Sequence, residues 1–286
     1  MKNKRLSNMG RALRSDGQAI FACVCFALLL VLILIPCFTK TDPNAIHMED
    51  AFRRPCAAHW FGTDALGRDY FTRVANGGRI SLLIGILAMV TSMLIGVTAG
   101  TVSGYFGGAV DSILMRIVDV ISSIPWMILV TVVSLFLKRG LVSIIFVIGF
   151  FTWMGTARLV RSETMSCRER EYVQYAAYID KPFYEVIFRH VIPTVFPVIV
   201  TSATETISEA ILMESSLSFL GIGIQQPLAS WGSLLNDAQS CFEHAPYMGI
   251  IPGILIVLTI YSFNKLGDIC RVYVEPKIME GGDGSE

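Results

Sequence analysis

The chain is dominated by long runs that carry no charged side chain. There is no Asp, Glu, Lys or Arg between Asp16 and Lys40, and none between Arg79 and Asp111. A hydrocarbon layer about 30 Å thick, crossed at 1.5 Å of rise per residue, takes about 20 apolar residues. Both runs are long enough to cross it. Four further blocks follow: Val120–Leu137, Gly140–Ala157, Val191–Met213 (which contains Glu205 and Glu209) and Ala245–Asn264. In lipid the backbone must satisfy its own polar groups, which makes each run a helix. The expectation is an all-α integral membrane protein with six transmembrane helices. The first run, 19–38, follows a basic start, as a signal peptide would. Its apolar stretch of about 19 residues exceeds the 7–15 of such a signal, and no small-residue cleavage pattern follows before Lys40, so it reads as a retained helix.

Composition closes other routes. Only 16% of the 286 residues are charged, against about 25% in ordinary soluble domains. Lys+Arg and Asp+Glu both total 23, so there is no basic face for nucleic acid. The seven cysteines form no CxxC pair and the four histidines no HExxH. Metal sites need ligands at such short spacings, and none is expected. No Ser/His/Asp grouping suggests a membrane enzyme. Cys56 and Cys241 both fall in external loops, where a disulfide is permitted, but spacing alone does not pair them.

Lys and Arg placement sets the orientation. The tail 1–18 holds Lys2, Lys4, Arg5, Arg11 and Arg14, which places it in the cytoplasm. Six crossings return the tail 272–286 to the same side, N-in and C-in. The loop 158–190 then lies inside and 39–78 outside. The external loop fits the rule poorly: with Arg79 it carries six basic residues, offset by Asp42, Glu49, Asp50, Asp64 and Asp69.

Two patterns within the spans carry expectations. Gly96, Gly100 and Gly104 recur every four residues, a face on which helix backbones approach closely in lipid. Glu205 and Glu209 share one face of the fifth span. A carboxylate is costly against lipid, so this face is expected to line a water-filled pathway or a seam with a partner. Thr201, Ser202, Ser208 and Leu212 fall on or near the same stripe.

The loop 158–190 is too regular for a linker. Arg168–Ile179 and Pro182–Val191 have helical composition, and Asp180–Lys181–Pro182 interrupts them. Pro suits the first turn of a helix and Asp180 suits its N-cap. The result is a short helix–turn–helix, a rigid knob for a soluble partner.

At this point a resemblance emerges. The loop is similar to the EAA loop of ABC importer permeases, with Gln174, Tyr175 and Ala176 at the E-A-A positions, Ala177 following, Asp180 at the glycine position and Ile187–Pro193 as the tail. HWFGTDALGRDYFTRVANGGRISLL at 59–83, GYFGGAVDSILMRIVDV at 104–120, SSIPWMIL at 122–129, SSLSFLGIGIQ at 215–225, SWGSLLND at 230–237 and FNKLGD at 263–268 resemble the dipeptide, oligopeptide and nickel branch, most closely its second, C-type permease. Gln174, Tyr175 and Asp180 depart from the family's Glu, Ala and Gly at those positions, departures that bear on which ATPase docks.

The resemblance implies a type I ABC importer permease fold over 79–271 in a bacterial inner membrane. It implies a homologous second permease, two ATP-binding cassette subunits docked on the knob near Glu171, Gln174, Tyr175, Ala176, Ala177 and Asp180, and an external solute-binding protein. No GxxxxGK[ST] phosphate loop occurs, so ATP and magnesium are expected on the partner ATPase and the chain is expected not to be an enzyme. A di- or oligopeptide is the expected solute. Nickel or a metal chelate is the alternative, with His47, His59, His244, Cys56 and Cys241 outside. A secondary transporter would show repeated halves, and spans 1–3 do not resemble spans 4–6.

Overall fold

A computed structural model describes residues 17–39, 41–137, 140–179 and 181–274. The tail up to 16, Asp180 and the tail from 275 lie outside the described residues, as does the side chain of Ala177. The helices are α1 Gly17–Thr39, α2 Tyr70–Phe106, α3 Gly108–Ser122, α4 Trp126–Phe136, α5 Leu141–Arg168, α6 Glu171–Tyr178, α7 Phe183–Phe219, α8 Trp231–Gln239 and α9 Tyr247–Val274. Five of them are long and apolar enough to cross a membrane, and α3 with α4 makes a sixth span if the bent pair is counted as one.

That bent pair corrects the third expected span. Val120–Leu137 is not one straight helix: α3 and α4 meet at 82° across Ser123–Pro125. Pro125 brings no N–H and pushes the residue before it out of the helical region, so the helix stops there. Other spans outrun their charge-free cores. α2 begins nine residues before Arg79, where the Asp69 carboxylate caps it by accepting from the Thr72 N–H at 2.9 Å. Arg79 then sits inside the helix and donates to the Ile33 carbonyl on α1 at 2.9 Å. α7 passes Met213 and continues to Phe219.

α2 is the central post. Ser81, Gly85, Ala88, Ser92, Gly96, Gly100 and Gly104 are buried along it. A Cβ on Gly96, Gly100 or Gly104 would come within 2.5–2.8 Å of a backbone oxygen on α5. The two backbones therefore approach closely along this face, and Gly149 of α5 meets α2 in the same way at Ala88 and Thr91. The register rises together on both helices, so α2 and α5 run parallel. At the end of α2 the chain reverses at Gly107, whose φ of +65° suits a residue without Cβ.

The two ends of the bundle differ. At one, the 41–69 loop and α8 fold back over Tyr70, Val74 and Trp231 to form a buried cluster. At the other, Val160, Cys167, Val173, Ala176, Val186, Val191 and Val195 form a second cluster beneath α6.

Candidate coupling knob and translocation face

The knob is built as a lever rather than a free hairpin. α5 ends at Arg168, and α6 is a short two-turn helix. Its second half is not a separate helix: Phe183 leads through a π-helical turn, Ile187–Val191, directly into the long span α7. Pro182 occupies the N-cap position and no side chain caps the helix; Asp180, the expected cap, lies outside the described residues. The outer part of the knob is therefore continuous with a membrane-spanning helix.

Burial divides the knob into an inner and an outer face. Val173 and Ala176 point inward, and Ala176 is only 3% exposed. Ala176, expected near the docking surface, therefore lies inside the knob instead, where it packs α6 onto α5 and α7. Glu171 and Gln174 are exposed, and Tyr175, Tyr178 and Phe188 are 66%, 87% and 74% exposed. Lys181 donates to Glu185 at 2.8 Å, and Arg189 pairs with the same carboxylate at 3.4 Å. Tyr172 ties α6 to α7 through the Thr194 hydroxyl at 3.0 Å.

A second set of polar groups lies along the bundle. Glu205 and Glu209 are both exposed on α7, together with Leu212. Ser202 and Ser208 instead face inward, Ser202 sharing a 3.1 Å hydrogen bond with Thr156, so the polar stripe is narrower than the sequence suggested. Glu209 lines a cavity of about 340 Å³ at the α3–α4 bend, with Ser122, Pro125, Trp126, Thr152 and Arg158. Arg158 pairs with Asp119 of α3 at 3.0 Å, and Arg161 holds both carboxylate oxygens of Asp111 through its Nε and one terminal nitrogen. These two ion pairs fasten α3, which buries only Val118. Sequence reading missed them, although 111/119 and 158/161 are one-face spacings on their helices.

The opposite end explains the GTDALGRD motif. Asp64 accepts from Arg68 at 2.6 Å and faces the Arg73 guanidinium at 3.5 Å, and Arg73 also reaches Asp237 at 3.4 Å. Burial pushes the Asp237 carboxyl above its ordinary range, against the pull of Arg73. Gly67 has φ +70°, and a Cβ there would fall 1.7 Å from the His47 carbonyl oxygen. His59 bonds Asp69 at 2.9 Å. Cys56 is an exposed free thiol and Cys241 a buried one, 3.7 Å from the Met248 sulfur. Among the described residues no group of three or more His, Cys, Asp or Glu could hold a metal ion.

Comparison with known proteins accounts for this arrangement. A family model described as "binding-protein-dependent transport system inner membrane component" matches residues 92–280. The oligopeptide transport system permease protein OppC of Bacillus subtilis is 35% identical over 268 residues, covering 93% of this chain and 88% of the relative. OppC of Haemophilus influenzae is 41% identical over 219 residues, covering 77% and 70%. The dipeptide transport system permease protein DppC of Bacillus subtilis is 37% identical over 257 residues, covering 88% and 80%. A family match across well over half the chain, on a bundle of apolar helices with a buttressed knob at one end, identifies a multi-pass bacterial inner-membrane protein that belongs to the binding-protein-dependent transport inner membrane component family of ABC importers.

Proposed function

We propose that this chain forms half of the translocation pathway of an ATP-driven importer of di- or oligopeptides, paired with a homologous second permease. Two ATP-binding cassette subunits dock on the knob at residues 168–191, hydrolyse ATP with magnesium, and drive the access change. An external binding protein delivers the solute to the end capped by the 41–69 loop and α8. The observation that carries this reading is the division of the knob: a buried apolar base fused to α7, and an outer face of Glu171, Gln174, Tyr175, Tyr178 and Phe188 left uncovered. Large exposed aromatic side chains on a rigid base suit an interface anchor. Peptide as the solute is supported by the relatives' names. No cluster among the described residues favours a metal.

The mechanism follows from the lever. Closure of the docked ATPases moves two knobs together, and α7 carries that movement to Glu205 and Glu209 without an intervening hinge loop. The α3–α4 arm, of which α3 buries only Val118, is held to α5 by Asp111–Arg161 and Asp119–Arg158 and moves with it. Uptake of labelled peptide by cells expressing the complete transporter tests the reading. Tyr175→Ala with Tyr178→Ala abolishes uptake and releases the ATPase on purification, while the permease stays in the membrane. Normal uptake with normal ATPase recovery overturns the docking assignment.

A further inference from the structure

The cavity at the α3–α4 bend brings together groups that the fold leaves unanswered. Glu209 of α7 lines it, is exposed, and has no ion pair among the described residues. Arg158 of α5 lines it as well, and one terminal nitrogen of its guanidinium donates to Asp119 at 3.0 Å. A guanidinium carries five N–H donors, so others remain for a second anion. Trp126, Phe151 and Met213 give the same space, about 340 Å³ in volume, its apolar walls. Gly155 is part of the lining too, and a Cβ built there meets nothing within 4 Å. On Gly149 of the same helix a Cβ would meet Thr91 at 2.7 Å. Gly155 has no such packing duty and leaves the cavity wall open.

The two charged groups stand at different levels of the bundle. α5 and α7 run antiparallel: Val160 clusters with Val195, Thr156 bonds Ser202, and Phe151 clusters with Ala210 and Met213. From the Thr156–Ser202 level, Arg158 is two residues nearer the knob and Glu209 seven residues nearer the external end. At 1.5 Å of rise per residue, their backbones are about 13 Å apart along the bundle. Both side chains line the space between. An extended chain covers about 3.3–3.6 Å per residue, so a di- or tripeptide spans what remains. A free peptide is a zwitterion at neutral pH, because its α-amino pKa is about 8 and its α-carboxyl pKa about 3.5. Either charge is costly to bring against hydrocarbon. A wall that offers a carboxylate and a guanidinium, with apolar surface between, answers both.

We propose that this cavity is a subsite for short peptides with both termini free. Glu209 takes the amino terminus, Arg158 takes the terminal carboxylate, and Trp126, Phe151 and Met213 hold the side chains without selecting among them. The inference rests on the reading of this chain as a peptide permease. The volume lies at the low end of the roughly 300–1,000 Å³ of small-molecule sites, which suits part of a pathway rather than a closed pocket. Binding there is weak, because Glu209 is exposed and Arg158 is shared with Asp119. Weak binding suits a path that must release what enters it.

Photolabelling of the full chain, purified with its partner subunits in lipid nanodiscs and without the binding protein, tests this. The probe is a tripeptide whose central side chain is a benzophenone. The competitors are trialanine, N-acetyl-trialanine and trialanine amide. The label is expected at Trp126, Phe151 or Met213. Acetylation and amidation each weaken competition by about tenfold or more, the loss of one charge-assisted hydrogen bond. In Glu209→Gln the acetylated and free peptides compete equally and the amide keeps its penalty, whereas Arg158→Gln shows the reverse. The amino-terminal arm stands on Glu209→Gln alone should Arg158→Gln fail to assemble. Gly155→Phe, which fills the cavity through its open wall, loses the label. Equal competition by all three peptides in wild type, an acetylation penalty retained in Glu209→Gln, or undiminished label in Gly155→Phe overturns the site. Uptake of radiolabelled trialanine by cells with the complete wild-type transporter is measured in parallel. Its absence overturns the peptide reading and the site with it, and uptake without label at those three residues overturns the site alone.

Discussion

Replacing Gly100 with alanine adds one methyl group at the tightest point of the α2–α5 contact. The new Cβ would lie 2.5 Å from the Ala157 carbonyl oxygen, 2.9 Å from Val160 Cβ and 3.0 Å from the Arg161 backbone nitrogen. Two of these three neighbours are backbone atoms and cannot rotate away, so the helices must separate. Overpacking of this kind costs about 1–3 kcal/mol. Gly155 of α5 supplies the control, because a Cβ there meets nothing within 4 Å. Both substitutions gain the same helix propensity, about 1 kcal/mol, so it cancels when the variants are compared. Gly155→Ala is expected to exceed Gly100→Ala in stability by about 1–3 kcal/mol. At about 2–4 °C per kcal/mol for a chain near this size, the midpoints separate by several degrees. Thermal unfolding of the isolated chain in detergent, followed by the accessibility of its free thiols, gives the comparison. Equal midpoints would refute the claim that close backbone approach on this face holds the bundle together.

Other sites give independent outcomes. Asp64→Asn leaves Arg68 and Arg73 buried beside a neutral group. Breaking a buried pair costs about 3–5 kcal/mol, so a marked fall in the thermal midpoint is expected, and an unchanged one contradicts the ion-pair account of the external cap. Ala176→Leu overfills the base of the knob at about 1–3 kcal/mol and raises protease sensitivity at 168–191, whereas Tyr175→Ser, on the outer face, does not; equal cleavage of both speaks against the division into faces. Glu205→Gln with Glu209→Gln lowers transport of cationic peptides relative to neutral ones, and an unchanged ratio removes the two carboxylates from the solute's path.

The apolar cores of the spans were legible because an uninterrupted run of such length has no other stable form in lipid. Their ends are not, because a charged residue at the edge of an apolar run looks the same whether the helix stops there or continues. Arg79 and Glu214 each lie inside a helix, with a polar partner on a neighbouring element: the Ile33 carbonyl for Arg79, and the Ser81 hydroxyl for Glu214. Such partners are remote in sequence, and no local pattern announces them. The glycine face on α2 could be read directly, since small residues every four positions imply a neighbour's backbone. The knob was placed by its composition, but its architecture was not. Pro182 promised a new helix, and the sequence carried no sign that a π turn would fuse it to α7. Ala176 illustrates the same limit: a small residue in a docking motif suits an outer contact and an inner one equally, and only burial decides.

The central claim is that the 168–191 end receives the ATPase and the end formed by 41–69 and α8 does not. Cross-linking in the assembled transporter tests it directly. A single cysteine is placed at Tyr178, 87% exposed on the knob, or at Trp60, 63% exposed at the other end, in a background without other cysteines. The account predicts a cross-link to the ATPase subunit from position 178, changed in yield by ATP, and none from position 60. A cross-link from position 60, or none from position 178 in an actively transporting complex, would contradict it.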